Sequence, residues 1–260
     1  MPLASSSPKK DKRRHRTPGL IDDVIAVPPP IVSSNLVLWL DAGSSASYPG
    51  TGTTWTDISP SAFSCTLVNG PTYNAGNGGY LNFNGMDTYG SVPANAAFEF
   101  GTGDFTVEAW LWVNTLALDS YQIIAGTAVA GWGGGWYNYA ANVSYGGEEV
   151  FGRGGEAYGG HGTIPVGVWL HVACSRISGE IKFYRDAVVG PVITAFTESI
   201  TGLTPLIVGA LSNYGAPPAP AEDGAYTLNG RIAQLRIYKG KGLTQAEVTN
   251  NFNAHNYRYI

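Results

Sequence analysis

The sequence predicts an all-β domain in which two antiparallel sheets pack face to face. The first observation is that apolar and polar residues alternate with a period of two in several separate segments, as in strands that bury one face. The second is that the 260 residues include 35 glycines and 16 prolines, which suit tight turns between short strands. A chain of this length with 44% hydrophobic residues can bury one large core.

The strands follow from the alternation itself. Within residues 105–114, odd-numbered side chains are apolar, whereas the even-numbered ones are polar or tryptophan, so the two sets face opposite sides of a strand. A similar pattern places Ala233, Leu235 and Ile237 on one face. Further strands are predicted at residues 36–41, 168–174 and 181–185.

One short helix is predicted near the C-terminus, at residues 244–253. Thr244 and Glu247 have the spacing of a capping box, in which each side chain accepts a hydrogen bond from the other residue's backbone N–H. Leu243 and Val248 occupy the two positions of a hydrophobic staple.

The two cysteines, Cys65 and Cys174, each lie in an apolar alternating stretch. We interpret them as reduced thiols in the core. A bridge between them stays open as an alternative, because the sequence does not give their separation.

The N-terminal segment differs in composition from the rest. Residues 1–33 are basic and proline-rich, and we predict an extended arm that cannot bury enough apolar surface to fold alone. Residues 34–260 form the predicted domain. The formal net charge is −4, yet six cations lie within eight residues of the arm: Lys9, Lys10, Lys12, Arg13, Arg14 and Arg16.

Several motifs in order resemble the concanavalin A-like lectin/glucanase superfamily, in its laminin-G-like branch. They are residues 35–43 (NLVLWLDAG), 67–73 (LVNGPTY), 81–85 (LNFNG), 105–110 (FTVEAW), 169–173 (WLHVA) and 230–238 (GRIAQLRIY). The resemblance spans about residues 35–260 and implies a two-sheet antiparallel jelly roll with one short C-terminal helix. Residues 239–244 (KGKGLT) also resemble copies found in tailed-phage structural proteins.

The superfamily contains glycosidases, whose chemistry requires a particular pair of acidic residues. A retaining glycosidase needs two carboxyl groups about 5–5.5 Å apart, and its glucanase branch supplies them from alternate residues of one strand. Glu108 has Thr106 and Trp110 at the alternate positions, so it lacks such a partner. Glu148 and Glu149 are adjacent and would face opposite sides of a strand. We therefore predict no catalytic residue.

Residues 126–162 are rich in aromatic side chains, glycine and amides. Aromatic rings stack on the apolar faces of sugars, and polar side chains bind the hydroxyl groups. The alternative is that these rings fill the core. The candidate glycan-binding residues are Trp132, Trp136, Tyr139, Asn142, Tyr145, Arg153, Tyr158 and His161; Glu156 and His161 are assigned to a glycine-rich loop.

Calcium is the cofactor that the resemblance implies. Ca²⁺ takes six to eight oxygen ligands, and Asn84 and Asp87 are the candidates. The alternative is that they only form a turn.

Partners and location follow from the arm and the phage resemblance. We expect residues 1–33 to anchor the chain to other subunits of a multi-protein assembly, a virion, with a cell-surface glycan as a second partner. Nucleic-acid phosphates would also suit the six cations. The sequence shows neither a secretory signal peptide nor an apolar run of the ~20 residues that cross a bilayer, so we predict release by lysis and no membrane insertion.

The predicted function is a non-catalytic structural and binding module of a phage particle. The first alternative is a free carbohydrate-binding, lectin-like protein that leaves the cell without a signal peptide. A glycoside hydrolase ranks third, because the carboxylate pair is missing.

Overall fold

The computed structural model describes residues 27–116, 121–127, 135–140, 147–153, 156–193, 195–202, 204–211 and 226–259. Strands dominate these residues. They are β1 (Leu36–Asp41), β2 (Thr54–Thr56), β3 (Ser64–Val68), β4 (Thr72–Asn74), β5 (Tyr80–Asn84), β6 (Tyr89–Val92), β7 (Phe105–Val113), β8 (Gln122–Gly126), β9 (Tyr137–Ala140), β10 (Glu148–Arg153), β11 (Glu156–Thr163), β12 (Trp169–Ile177), β13 (Glu180–Arg185), β14 (Val188–Ile193), β15 (Leu206–Val208) and β16 (Asn229–Lys239). One α-helix, α1 (Gln245–His255), follows them, with short 3₁₀ helices at Gly76–Gly78, Ala96–Phe98 and Asn256–Arg258.

Within the described residues the strands form two antiparallel sheets of eight strands. Sheet A has the order β14-β13-β12-β7-β16-β5-β4, and β1 also pairs with β16. Sheet B has the order β11-β10-β9-β8-β15-β6-β3-β2. Seven of the fourteen pairings between described strands join strands that are not consecutive in the sequence, and the chain passes repeatedly from one sheet to the other.

The core lies between the two sheets. In β7 the odd-numbered side chains, from Phe105 to Val113, belong to one buried cluster with residues of both sheets. Phe105 stacks on Phe100 with the ring centroids 4.4 Å apart. The predicted alternation of β7 and the predicted sandwich are thus confirmed.

The predicted face of Ala233 is wrong. The pairing of β16 with β7 shifts between Ile232 and Gln234, as happens where a strand carries a β-bulge. Ile232 faces the core with Leu235 and Ile237, whereas Ala233 packs on the outer face of sheet A against Trp110 and Tyr259. An extra residue in one strand reverses the alternation, which period-two reasoning misses.

Helix α1 covers part of the outer face of sheet A. Its N-cap is Thr244, and the capping box with Glu247 is present, so the predicted helix is confirmed. Leu243 and Val248 lie in one buried cluster with Tyr184 and Tyr238 of sheet A. The helix therefore buries part of the polar face of β7, which the sequence pattern places on the side away from the core.

Both cysteines are buried and unbridged, which confirms their interpretation as core thiols. Burial raises the pKa of Cys65 to about 12. The thiol is thus neutral at physiological pH and behaves as a small apolar side chain.

Residues 30–32 are hydrogen-bonded to α1 and to sheet A. The Asn250 side chain donates to the carbonyl of Pro30 over 2.7 Å, and the Val32 amide donates to the side chain of Asn251 over 2.8 Å. The Tyr238 hydroxyl donates to the carbonyl of Val32. Residues 30–32 are thus bonded to the domain beside α1.

Candidate functional site

The outer face of sheet B carries an apolar, tyrosine-rich surface. In β8 and β10 the core-facing residues are Ile124 and Phe151, so their neighbours Ile123 and Val150 face outward. Tyr137 of β9 joins them, and its ring lies over Gly152, where any side chain would collide with it. We call this surface the sheet B patch; its members are Tyr121, Ile123, Tyr137, Val150, Leu211 and Tyr226.

Two partly exposed tyrosines mark the accessible part of the sheet B patch. The rings of Tyr121 and Tyr226 are parallel within 4°, and their centroids are 5.3 Å apart. The other four members, Ile123, Tyr137, Val150 and Leu211, are buried. Flat aromatic rings offer stacking surface to a ligand, and tyrosine hydroxyl groups take part in hydrogen bonds.

Trp136 does not belong to this surface, which corrects its assignment to the glycan site. Its side chain is fully buried and packs between the sheets against Phe100 and Phe151. The indole N–H donates to the carbonyl of Phe98 over 2.9 Å. An indole enclosed in this way has no face on which a sugar could stack.

Three glycan candidates lie near the edge of sheet B, and the side chain of each contacts another part of the domain. They are Arg153 on β10 and Tyr158 and His161 on β11. The Arg153 guanidinium is 3.3 Å from the carboxylate of Glu198, and Tyr158 packs edge-on against the buried Phe196. Nε2 of His161 lies 2.6 Å from the carbonyl oxygen of Val188. The last contact joins β11 at the edge of sheet B to β14 at the edge of sheet A, whereas Glu198 and Phe196 belong to the segment after β14. The interpretation of Glu156 and His161 as loop residues is wrong, since both lie on β11.

The other glycan candidates are only partly described. Tyr139 pairs with Ile123 of β8 and Val150 of β10, which is a position within the sheet B patch; its side chain is not described. Trp132, Asn142 and Tyr145 lie outside the described residues, as do the six cations of the arm. Their assignments stay predictions.

Asn84 and Asp87 form a turn and do not fit a calcium site. The side-chain oxygen of Asn84 accepts hydrogen bonds from the backbone of Met86, Asp87 and Thr88 and from the Thr88 hydroxyl. The Asn84 amide nitrogen donates to Asp87 over 2.7 Å. Because Ca²⁺ takes six to eight oxygens, one amide oxygen already occupied by the turn and one carboxylate are too few. No group of three or more metal-binding side chains occurs in the described part of the chain.

Glu108 is buried beneath α1. Its carboxylate lies 3.0 Å from Nε of Arg236 and 3.5 Å from Nε2 of His171, and it accepts a hydrogen bond from Asn251 over 2.8 Å. Burial acts to raise the pKa of Glu108, but the positive charge of Arg236 and the contact with His171 outweigh it, so the net pKa is lowered. Its partners fasten the helix to the sheet, and the group has no access to a substrate.

Glu149 is also buried, but it faces the core. Like Phe151 two residues further along β10, it points between the sheets, and its side chain is fully enclosed. Burial raises the pKa of Glu149 to about 8, although Arg185 and the side chain of Asn138 act to lower it. The two fully buried glutamates thus lie on different sheets, Glu108 on the outer face of sheet A and Glu149 on the inner face of sheet B, and are unsuited to act on one bound sugar.

The sequence analysis missed Tyr121, Tyr226 and Leu211. They are separated by up to 105 positions along the chain and meet only because of the way β8 and the segments around β15 and β16 are arranged. No local pattern signals such a set. Among the described residues, no helix is long and apolar enough to span a membrane.

Two packed antiparallel sheets, with a capped helix on one and an aromatic surface on the other, define a jelly-roll sandwich. The family model described as "Concanavalin A-like lectin/glucanases superfamily" (Laminin_G_3) matches residues 84–249, more than half of the chain. The chain belongs to this superfamily, which confirms the resemblance seen in its motifs. A comparison with curated protein sequences found no match.

Solved structures with the same fold come from proteins of different kinds. The binding domain of Paraclostridial Mosquitocidal Protein 1 has a TM-score of 0.63 and 17% identity, covering 85% of this chain and 52% of that one. Trypanosoma rangeli sialidase with the inhibitor DANA has a TM-score of 0.61 and 15% identity, covering 90% and 36%. Domain 4 of AbnA, a GH43 extracellular arabinanase from Geobacillus stearothermophilus, in complex with arabinotriose, has a TM-score of 0.58 and 20% identity, covering 84% and 98%. At these identities the likeness concerns the fold alone.

Proposed function

We propose that this chain is a non-catalytic module that binds glycans through the sheet B patch. The stacked pair of Tyr121 and Tyr226 carries the proposal. Partly exposed rings above a buried apolar base are suited to the C–H faces of a sugar ring, and the hydroxyl groups of the tyrosines to its polar edge. Stacking on an aromatic ring needs no charge on the ligand, so a neutral sugar is the suitable probe.

The environments of the acidic residues support a non-catalytic role. Glycoside hydrolysis requires two carboxyl groups on either side of the scissile bond. Glu108 is occupied by Arg236 and enclosed by α1, and Glu149 is enclosed in the core. The solved relative that binds arabinotriose is likewise one domain of a larger arabinanase, which is consistent with a binding role for this fold.

The test is glycan binding by matched tyrosine variants. The full chain is applied to a glycan array, and the affinity for the best neutral oligosaccharide, with arabinotriose included, is measured by calorimetry. Tyr226→Ala and Tyr121→Ala should each weaken binding at least about tenfold, because the loss of a stacked ring costs about 1.4 kcal/mol or more.

Tyr257→Ala is the control, since Tyr257 is 59% exposed and follows α1 on sheet A. It should leave the affinity unchanged. Equal affinities for wild type and both patch variants, or no retention on any glycan, would refute the proposal.

We further propose that the module is a decoration protein of a phage particle, anchored by residues 1–33. The position of Pro30 and Val32 supports this, since both are hydrogen-bonded to α1, on the sheet opposite the sheet B patch. An arm attached to subunits on one side would leave the glycan-binding face exposed.

Co-purification with the native particle tests the anchoring proposal. Replacing the six arm cations with glutamine should abolish incorporation, while glycan binding by the domain is retained. Normal incorporation of this variant would contradict anchoring by the charges. If the wild-type chain is absent from particles yet retained on glycans, the alternative of a free lectin-like protein is supported instead.

A further inference from the structure

A second exposed surface lies on the outer face of sheet A, beyond the part that α1 covers. Its residues are paired directly across four neighbouring strands: Trp169 with Trp112, Trp112 with Arg231, and Arg231 with Asn82. We call these four residues the sheet A row. Neighbouring strands are about 4.8 Å apart, so the row is about 14 Å long. All four residues are partly exposed.

Aromatic rings hold the guanidinium of Arg231 in place. Its Cζ atom lies 4.4 Å from the ring centroid of Trp112 and 5.0 Å from that of Tyr80. The ring of Trp169 packs edge-on against Trp112, with the centroids 5.9 Å apart. Because the N–H groups of a guanidinium lie in its own plane, stacking on rings leaves the donor edge available to a ligand.

Hydrogen bonds of side-chain amides orient two members of the sheet A row, Trp112 and Asn82. Nε1 of Trp112 donates to Asn114 over 3.0 Å, and Asn114 donates in turn to Asn229 over 2.9 Å. Asn82 donates to the carbonyl of Thr72 over 3.2 Å. The indole is thereby oriented before any ligand arrives, and the amide oxygen of Asn82 is placed to accept from a hydroxyl group.

The charge of Arg231 is not neutralised by an acidic side chain in the part of the chain that the structure describes. Arg153, Arg236 and Arg258 each pair with a carboxylate. Arg231 instead contacts two rings, and its Nε atom is buried without a hydrogen-bond partner. A planar cation prepared in this way is suited to a planar anion, which it can bind through two parallel hydrogen bonds.

We propose that the sheet A row binds a carboxylate-bearing sugar residue of a glycan. Arg231 holds the carboxylate, Trp112 stacks on the apolar face of the sugar ring, and Asn82 accepts from a hydroxyl group. This site rests on the proposed glycan-binding function and adds to it, on the opposite sheet from the sheet B patch, a specificity for acidic sugars.

The experiment compares acidic probes with uncharged counterparts of the same size. Two pairs are used: a hexamer of galacturonic acid against its methyl ester, and sialyllactose against lactose, so that uronic and sialic acid sources are distinguished. The full chain should bind at least one acidic member about tenfold or more tightly than its neutral counterpart. Arg231→Met should abolish this preference.

Lys182→Met is the matched control, since it removes one cation from the same sheet outside the row, where Lys182 pairs with Glu180. It should keep the preference. Arg231→Lys keeps the charge but loses the planar guanidinium, so its preference for the acidic probe should be reduced. If Arg231→Met does not fold, this variant provides the test. Thermal melting checks that each variant is folded.

The outcomes separate this inference from the proposed function. Equal binding of acidic and neutral probes, or a preference unchanged in the Arg231 variants, overturns the sheet A site. If neutral binding is then lost in Tyr226→Ala, the sheet B patch stands alone. Binding of no glycan at all overturns both.

Discussion

Glu149 places a fully buried carboxyl group between the two sheets. Burial raises its pKa from 4.5 to about 8, so the folded protein holds the neutral acid at neutral pH. Above pH 4.5 the unfolded chain has lost this proton while the folded chain keeps it. The stability that the protonated group contributes is therefore complete below pH 4.5 and is lost as the pH rises through about 8.

We predict that the free energy of unfolding of the wild type falls between pH 6.5 and 8, and that Glu149→Gln removes most of this fall. Glutamine keeps the shape of the neutral acid and does not ionise. Urea unfolding at several pH values measures the effect. The range begins at 6.5 because His255, whose pKa burial lowers from 6.5 to about 3, affects the balance only at lower pH.

Glu148→Gln is the control, because Glu148 precedes Glu149 directly in the sequence but is only partly buried. It should show the wild-type pH dependence. A wild-type slope in Glu149→Gln as well would contradict the assignment of the pH effect to Glu149.

Single residues were predictable from sequence only where their neighbours kept a regular pattern. The outward face of Glu108 followed from the alternation of β7, and the structure adds Arg236 and His171 as its partners. Ala233 was misplaced because a bulge interrupts the alternation. Trp136 was misassigned because an aromatic residue in a glycine-rich stretch gives no sign of which face of its strand is buried.

At the scale of elements, α1 shows what local sequence determines. The capping box of Thr244 and Glu247 specified its start. A side-chain cap satisfies backbone N–H groups that the helix cannot satisfy internally, and this requirement is entirely local. By contrast, Gly152 of β10 and Gly160 of β11 leave room for the rings of Tyr137 on β9 and Phe183 on β13, which no local pattern reveals.

We predict that Thr244→Ala lowers the free energy of unfolding by about 1 kcal/mol and the Tm by about 2–4 °C. The helix covers the buried polar residues on the outer face of sheet A. Loosening its first turn should therefore destabilise the whole domain. Thr249→Ala removes the same hydroxyl from the middle of the helix, where it accepts only from Gln245, and should cost less. Equal losses in the two variants would argue against the cap as the cause.

At the scale of the whole molecule, both proposed surfaces are assembled from distant segments. The sheet A row draws one residue from each of four strands, and the sheet B patch joins Tyr121 to Tyr226. The family motifs predicted the sandwich, since several occur in order, but strand neighbours depend on how the chain passes between sheets. The surfaces could therefore not be predicted from spacing.

The two sheets differ in what covers their outer faces. Sheet A is fastened to α1 and to residues 30–32, and its far end carries the sheet A row. Sheet B carries the sheet B patch. Both proposed surfaces need a rigid body behind them, which the large common core supplies.

The measurement that tests the central claim most directly records binding and turnover in one sample. The full chain is incubated with the oligosaccharide that it retains most strongly, and mass spectrometry follows both the bound fraction and the length of the sugar. A non-catalytic glycan-binding module predicts saturable binding with the oligosaccharide intact. Shortened products whose formation is lost in Glu108→Gln would contradict it and would identify the chain as a glycoside hydrolase.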